Sequence, residues 1–225
     1  MSLVFVILGA AALAFYIPEK IRGYTVKAVV LKSVVSVLFI ATALSAGSAA
    51  RLAPFVIIGL VLGLCGDIWL DLKYVFPEKD AAFTYAGFAA FAVGHVAYIT
   101  GLLIQYGAGL FLIASFVLAA LAAAAVRIME KPMKLTYGSM KTIVTIYGFL
   151  LFSTVFVSGG CLLTYGGTHL WVFFIGSVLF ALSDLVLSGT YFGTGKDRPV
   201  DIILNYLLYY GGQFLIAYSL VFLKA

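Results

Sequence analysis

The chain has 225 residues, 64% of them hydrophobic and only 10% charged, with 14 Lys and Arg against 9 Asp and Glu. A soluble domain carries about 25% charged residues, so this supply cannot cover a water-exposed surface. A water-soluble enzyme, a disordered tail and a nucleic-acid binder are thereby excluded, and one polytopic all-α membrane domain, surrounded by membrane lipids, is expected.

A run of about 20 apolar residues is long enough to span a bilayer. Eight such runs follow one another, at approximately 2–17, 27–47, 52–72, 81–104, 107–127, 141–164, 169–190 and 202–223. The first begins at Leu3 with no basic stretch before it, so it reads as a span and not as a cleaved signal. Short links near Gln105–Tyr106 and between Tyr165 and Thr168 are expected to join antiparallel helical hairpins. Cys65 and Cys161 sit inside apolar runs, without metal-ligand spacing, and read as packed thiols.

Charge placement orients the bundle. The links after odd-numbered spans carry Lys20, Arg22, Lys27, Lys73, Lys79, Arg127, Lys131, Lys134, Lys141, Lys196 and Arg198, while the opposite side carries only Arg51 and Lys224. The positive-inside rule puts the first set in the cytoplasm and both termini outside. A bacterial inner membrane is the expected location.

Ionisable residues inside spans are costly and mark function by default. They are Lys32 in the second span, Asp67 with Asp71 in the third, His95 in the fourth and Asp184 in the seventh; the eighth adds Asn205, Tyr209, Tyr210 and Gln213. Counted from the basic side at 1.5 Å per residue, Lys32, Asp67 and Asp184 lie roughly 7–10 Å deep. Asn205 falls just above that layer and Tyr209 within it, with Gln213 and His95 deeper. Gly59, Gly63, Asp67 and Asp71 recur at i+4, a small-residue stripe expected to face the bundle interior. Asn205, Tyr209 and Gln213 form a second stripe at the same spacing.

Asp67 and Asp184 are the strongest candidates for chemistry. Asp71, nearer the surface, is expected to be an interfacial group. Lys32 either neutralises an aspartate or meets a ligand's phosphate, and His95 is either a satisfied core histidine or a brace for a pocket floor. His169 begins a span at the opposite side and reads as interfacial. With two histidines so far apart, no zinc site, and no other metal or cofactor, is expected. A weak echo relates "LGLCGDIWL" around Asp67 to "LFALSDLVL" around Asp184, and "GHVAYITGL" to "GQFLIAYSL". Spans four apart share an orientation, so a parallel 4+4 repeat is expected, with the two carboxylates at equivalent positions.

On these residues the chain resembles the YhhN-like family of membrane proteins, whose characterised members are lysoplasmalogenases. The resemblance rests on Lys32, "LCGDIWL" with Asp67, "GHVAY" with His95 and Tyr98, "ALSDLVL" with Asp184, and "YYGGQFLIA" with Tyr209, Tyr210 and Gln213. Ser33 stands where the family often has proline after the span-two lysine. The resemblance implies cleavage of the vinyl ether bond of a lysoplasmalogen, a single-chain lysophospholipid, with Asp67 and Asp184 as catalytic carboxylates. On the reading of the residues themselves, Lys32, His95, Asn205, Tyr209, Tyr210 and Gln213 are expected to bind and orient the substrate. The residues alone also admit a proton-coupled carrier or a non-catalytic lipid-binding protein. Against the carrier, Pro54 alone of five prolines falls inside an expected span, so no matched pair of broken helices is legible.

Overall fold

A computed structural model describes residues 1–23, 25–193 and 198–223. Among these residues eight long helices appear and no strand: α1 (Ser2–Arg22), α2 (Val26–Ser45), α3 (Ala53–Val75), α4 (Asp80–Tyr106), α5 (Phe111–Ile128), α6 (Lys141–Tyr165), α7 (Thr168–Phe192) and α8 (Pro199–Ser219). All eight are long and apolar enough to cross a membrane. The expected spans are therefore found, with ends displaced by a few residues. Of the orienting charges, Lys196 and Lys224 lie outside the described residues.

Local chemistry sets several boundaries. The Thr25 hydroxyl accepts the Ala28 amide at 3.2 Å and caps α2. Pro54 and Pro199 occupy the first turns of α3 and α8, where no intrahelical N–H is required. Between α6 and α7 the chain reverses through Gly166 (φ 65°) and Gly167 (φ 100°), two successive backbone conformations that favour glycine. Pro18 does not end α1, which continues to Arg22. The first span is thus longer than the expected 2–17, and the difference matters for the polar layer.

The surface inverts the usual pattern. Leu163 is 89% exposed, Phe15 73% and Ile113 70%, whereas Asp67 is 2% and Asp71 3% exposed. Apolar side chains outside and charges inside suit a lipid surround, where the inward faces must gather every polar group.

Within each half, sequential helices pack on one another, α1 to α4 and α5 to α8, and contacts of α4 with α6 and of α2 with α8 join the halves. A parallel 4+4 repeat requires this pairing, but the buried charges do not follow it: the residue in α7 corresponding to Asp71 is Ser188. The α4–α5 link gives no packed hairpin, contrary to expectation: α4 lies against α6, and α5 meets α6 through a narrow face of Ser115, Ala119 and Ala123. The α3–α4 and α7–α8 pairs are the most extensively packed. A Cβ on Gly176 would stand 2.8 Å from the Gly212 carbonyl oxygen, so α7 and α8 meet backbone to backbone. The stripe of Gly59, Gly63, Asp67 and Asp71 is buried as expected; Gly59 receives the Tyr98 ring of α4, and Gly63 faces Gln213 of α8.

Candidate active site

Four charged side chains near the basic end of the bundle pair with one another. The Lys32 ammonium lies 3.2 Å from Asp67 Oδ1 and 3.3 Å from Asp71 Oδ1. Lys20 reaches Asp71 Oδ1 at 2.8 Å, and the Tyr16 hydroxyl donates to Asp71 Oδ2 at 3.3 Å. The charges alternate as Lys20, Asp71, Lys32, Asp67. An unpaired ion at this burial would cost several kcal/mol.

This overturns the reading of Asp71 as interfacial and of Lys20 as a link residue. Because α1 runs past Pro18, Lys20 falls one turn beyond Tyr16, and both side chains meet α3. Burial of Lys20 is complete enough (4% exposed) to remove it from the surface charge.

Asp67 accepts two further hydrogen bonds at Oδ2, from Ser36 at 2.6 Å and Tyr209 at 2.8 Å. Tyr209 is held in turn by the Gln213 amide at 3.3 Å, and Gln213 accepts the Tyr98 hydroxyl at 3.2 Å. Tyr210 donates to the Lys32 carbonyl at 3.3 Å.

Asp184 has different company. Its Oδ2 accepts the Tyr147 hydroxyl of α6, and Ser183 approaches Oδ1 at 3.4 Å. Asn205 donates to the Ser183 carbonyl at 2.8 Å and ties α8 to this turn of α7. Among the described residues no Lys, Arg or His lies within ion-pair distance of Asp184.

The two carboxylates line one cavity with about 880 Å³ of atom-free space, counting its mouth. Lys32, Tyr137, Tyr147, Ser188, Tyr191, Asn205, Tyr206 and Tyr209 add polar groups to its wall, and the remainder is mainly apolar, including Leu70, Phe88, Phe91, Leu151 and Phe152. Along α6 the lining runs from Val144 to Phe152, so the cavity extends about 12 Å inward from the basic end. A mostly apolar cavity with a few convergent polar groups is the usual form of a small-molecule site.

Of the sequence-predicted residues, Asp67, Asp184, Lys32, Asn205 and Tyr209 stand on the cavity wall. His95, Tyr210 and Gln213 stand behind it. His95 packs against Tyr147 and Phe180, ring centroids 5.7 and 5.0 Å away. Thr154 donates its hydroxyl hydrogen to the Leu150 carbonyl, so His95 Nδ1, 3.1 Å from that hydroxyl oxygen, is the donor between them. Its buried Nε2 has no partner among the described residues. At the far end His169 stacks on Tyr106 and hydrogen-bonds its hydroxyl, away from the layer.

Sequence reasoning passed over Tyr147, Ser36 and Tyr206. Tyr147 is six residues from Lys141, the depth criterion that selected Asp184, and Ser36 is one helical turn from Lys32. Both signals were available in the spacing.

The profile of the YhhN family matches residues 27–220. The chain belongs to the YhhN family. No curated protein and no solved structure matches it. The YhhN match covers every residue of the cavity wall, but it begins after Tyr16 and Lys20. Within this YhhN protein, the α1 side of the Asp71 pairing therefore lies outside the family's matched core.

Proposed function

We propose that this YhhN-family protein is an integral-membrane hydrolase that cleaves the vinyl ether bond of lysoplasmalogens, releasing a fatty aldehyde and a glycerophospho-alcohol. The observation that carries the reading is the unequal setting of two carboxylates in one apolar cavity. Asp67 faces an ammonium and two hydroxyl donors, an environment suited to an ionised carboxylate. Asp184 has no cation within ion-pair distance among the described residues, and an apolar cavity without a counter-ion favours the neutral carboxylic acid.

Enol-ether hydrolysis needs both forms. The acid Asp184 gives its proton to the outer alkene carbon, and the ether carbon becomes an oxocarbenium ion. Asp67, ionised, stabilises that cation and takes a proton from the attacking water. The resulting hemiacetal collapses: its hydroxyl proton passes to the Asp184 carboxylate as the C=O forms, and the departing glycerol oxygen takes the proton that Asp67 had accepted from water. One water is consumed and both carboxylates return to their starting forms. The division of labour parallels that of paired carboxylates in glycoside hydrolysis. Lys32 keeps Asp67 charged, Tyr209 and Ser36 orient it, and Tyr147 and Asn205 hold the Asp184 turn.

The depth of the layer suits a lipid. With its polar group at the basic end, a single-chain lipid places its first chain bond several ångströms below and its tail among Leu151 and Phe152. By the positive-inside rule this end faces the cytoplasm, so the site opens toward the inner leaflet of a bacterial inner membrane and the termini face outward.

The test is aldehyde release by purified protein given lysoplasmalogen and an acyl lysophospholipid side by side. Aldehyde from the first alone is expected. Absence of aldehyde from folded protein overturns the proposal, and flux of lipid or protons into proteoliposomes in its place would identify a carrier.

A further inference from the structure

The link between α5 and α6, Met129 to Met140, lies at the basic end of the bundle and adds Tyr137 to the cavity wall. The Thr136 amide donates to the Phe192 carbonyl at 2.8 Å, and Leu135 bridges to Gly193. Glu130 organises the turn: its backbone carbonyl accepts the Leu135 amide at 2.8 Å, and its carboxylate accepts the Tyr137 amide at 3.2 Å. The same carboxylate pairs with Lys141 at 2.7 Å, which neutralises it. Tyr85 of α4 donates to the Ser139 carbonyl at 3.0 Å. The link is thus a strap tied to α4, α6 and α7.

Tyr137 is carried by this strap. Its ring packs edge-on against Phe192, centroids 4.9 Å apart, and the residue is only 3% exposed. It lines the cavity that holds both carboxylates, yet its hydroxyl has no hydrogen-bond partner among the described residues. Nearly all buried polar groups in folded proteins are paired, and an unpaired one calls for a reason. Among the described residues this hydroxyl is the one buried side-chain polar atom of the strap without a partner, a donor at the edge of a site.

We infer that Tyr137 is a substrate-binding residue whose hydroxyl donates a hydrogen bond to a phosphate oxygen of a single-chain ether phospholipid in the cavity. The inference rests on the hydrolase reading above. Position selects the phosphate: Tyr137 is level with Phe192, two turns of α7 or about 12 Å from Asp184. A lipid with its vinyl ether at Asp184 extends its glycerophosphate unit toward that level. Chemistry agrees, since phosphate oxygens accept hydrogen bonds and a neutral phenol donates one. Burial and the Glu130 carboxylate push the Tyr137 pKa above the ordinary phenol value, so it stays an O–H donor.

The experiment uses the full chain, wild type and Tyr137→Phe, with two uncleavable probes: a saturated 1-O-alkyl lysophosphatidylethanolamine and a 1-O-alkylglycerol lacking phosphate. The substitution is expected to weaken the phospholipid probe about tenfold, the worth of a hydrogen bond to a charged group, and to leave the alkylglycerol unaffected. The unliganded melting temperature should stay the same or rise, because the removed hydroxyl had no partner. With lysoplasmalogen the loss should fall on KM more than on kcat. Equal phospholipid binding by the two proteins, equal weakening of both probes, or a lower melting temperature would each overturn the inference. Tyr137-dependent probe binding without aldehyde release from lysoplasmalogen would sink the hydrolase reading and leave the phosphate contact standing.

Discussion

Asp67 and Asp184 occupy corresponding places in similar stretches of α3 and α7, and their surroundings differ in kind. Asp67 belongs to a chain of alternating charges that runs through Lys32 and Asp71 to Lys20. Asp184 belongs to a chain of neutral donors, Tyr147, Ser183 and Asn205. The contrast shows how neighbouring helices make two identical groups chemically distinct. α2 brings a lysine to one aspartate; α6 brings a tyrosine to the other.

The sharpest way to break the comparison is to remove each carboxylate. Asp184→Asn should reduce aldehyde release by about 10²–10⁴, as expected for loss of a general acid. Asp67→Asn should cost about 10²–10³ through lost stabilisation of the cation. Full turnover by both folded variants would end the proposed chemistry.

The charged side is sharpened by comparing its two lysines through thermal unfolding in detergent. Lys32→Met leaves Asp67 with no cation, while Asp71 keeps Lys20, and should destabilise by about 3–5 kcal/mol. Lys20→Met leaves Asp71 with Lys32 and should cost about half as much. Equal losses would mean that Lys32 is not the shared counter-ion.

A smaller effect probes the support behind Asp67. In Gly63→Ala the new Cβ would lie 2.8 Å from Gln213 Nε2, so the amide must swing away from Tyr209. Turnover should fall several-fold, on the order of 1 kcal/mol for one weakened hydrogen bond, with Asp184-side variants unaffected in stability.

The smallest effect is on the strap. Lys141 and the Tyr137 amide hold the Glu130 carboxylate below its ordinary pKa. Its contribution is therefore complete above the ordinary carboxylate range and is lost as pH falls through the lowered folded value. Protection of the 129–140 amides, relative to their intrinsic exchange rates, should fall in acid in the wild type, and Glu130→Gln should show the lower protection already at neutral pH. Identical profiles would show that Glu130 does not tie the strap.

Much of this was legible in the linear sequence. Charge scarcity specified a membrane domain, and hydropathy located eight spans to within a few residues. Depth counting placed Lys32, Asp67, Asp184 and Tyr209 in one layer, because rise along a helix is a property of the chain itself. The same count would have found Tyr147. Family motifs marked His95, Tyr210 and Gln213 as well, but these support the wall from behind, since a shared depth does not say which way a side chain points.

What the sequence determined by itself was therefore the medium, the helices and the level of the polar groups. Tertiary structure decided the partners: that α1 continues through Pro18 and delivers Lys20 to Asp71, that Lys32 sits between two aspartates, that Asp184 has the Tyr147 hydroxyl for company, and that the α5–α6 link brings Tyr137 to the cavity wall. The physical reason is dimensional. Apolar content and axial rise are summed along one chain. A buried charge, by contrast, is stabilised by what a neighbouring helix places within about 3 Å of it, and that depends on rotation and packing that no single span encodes.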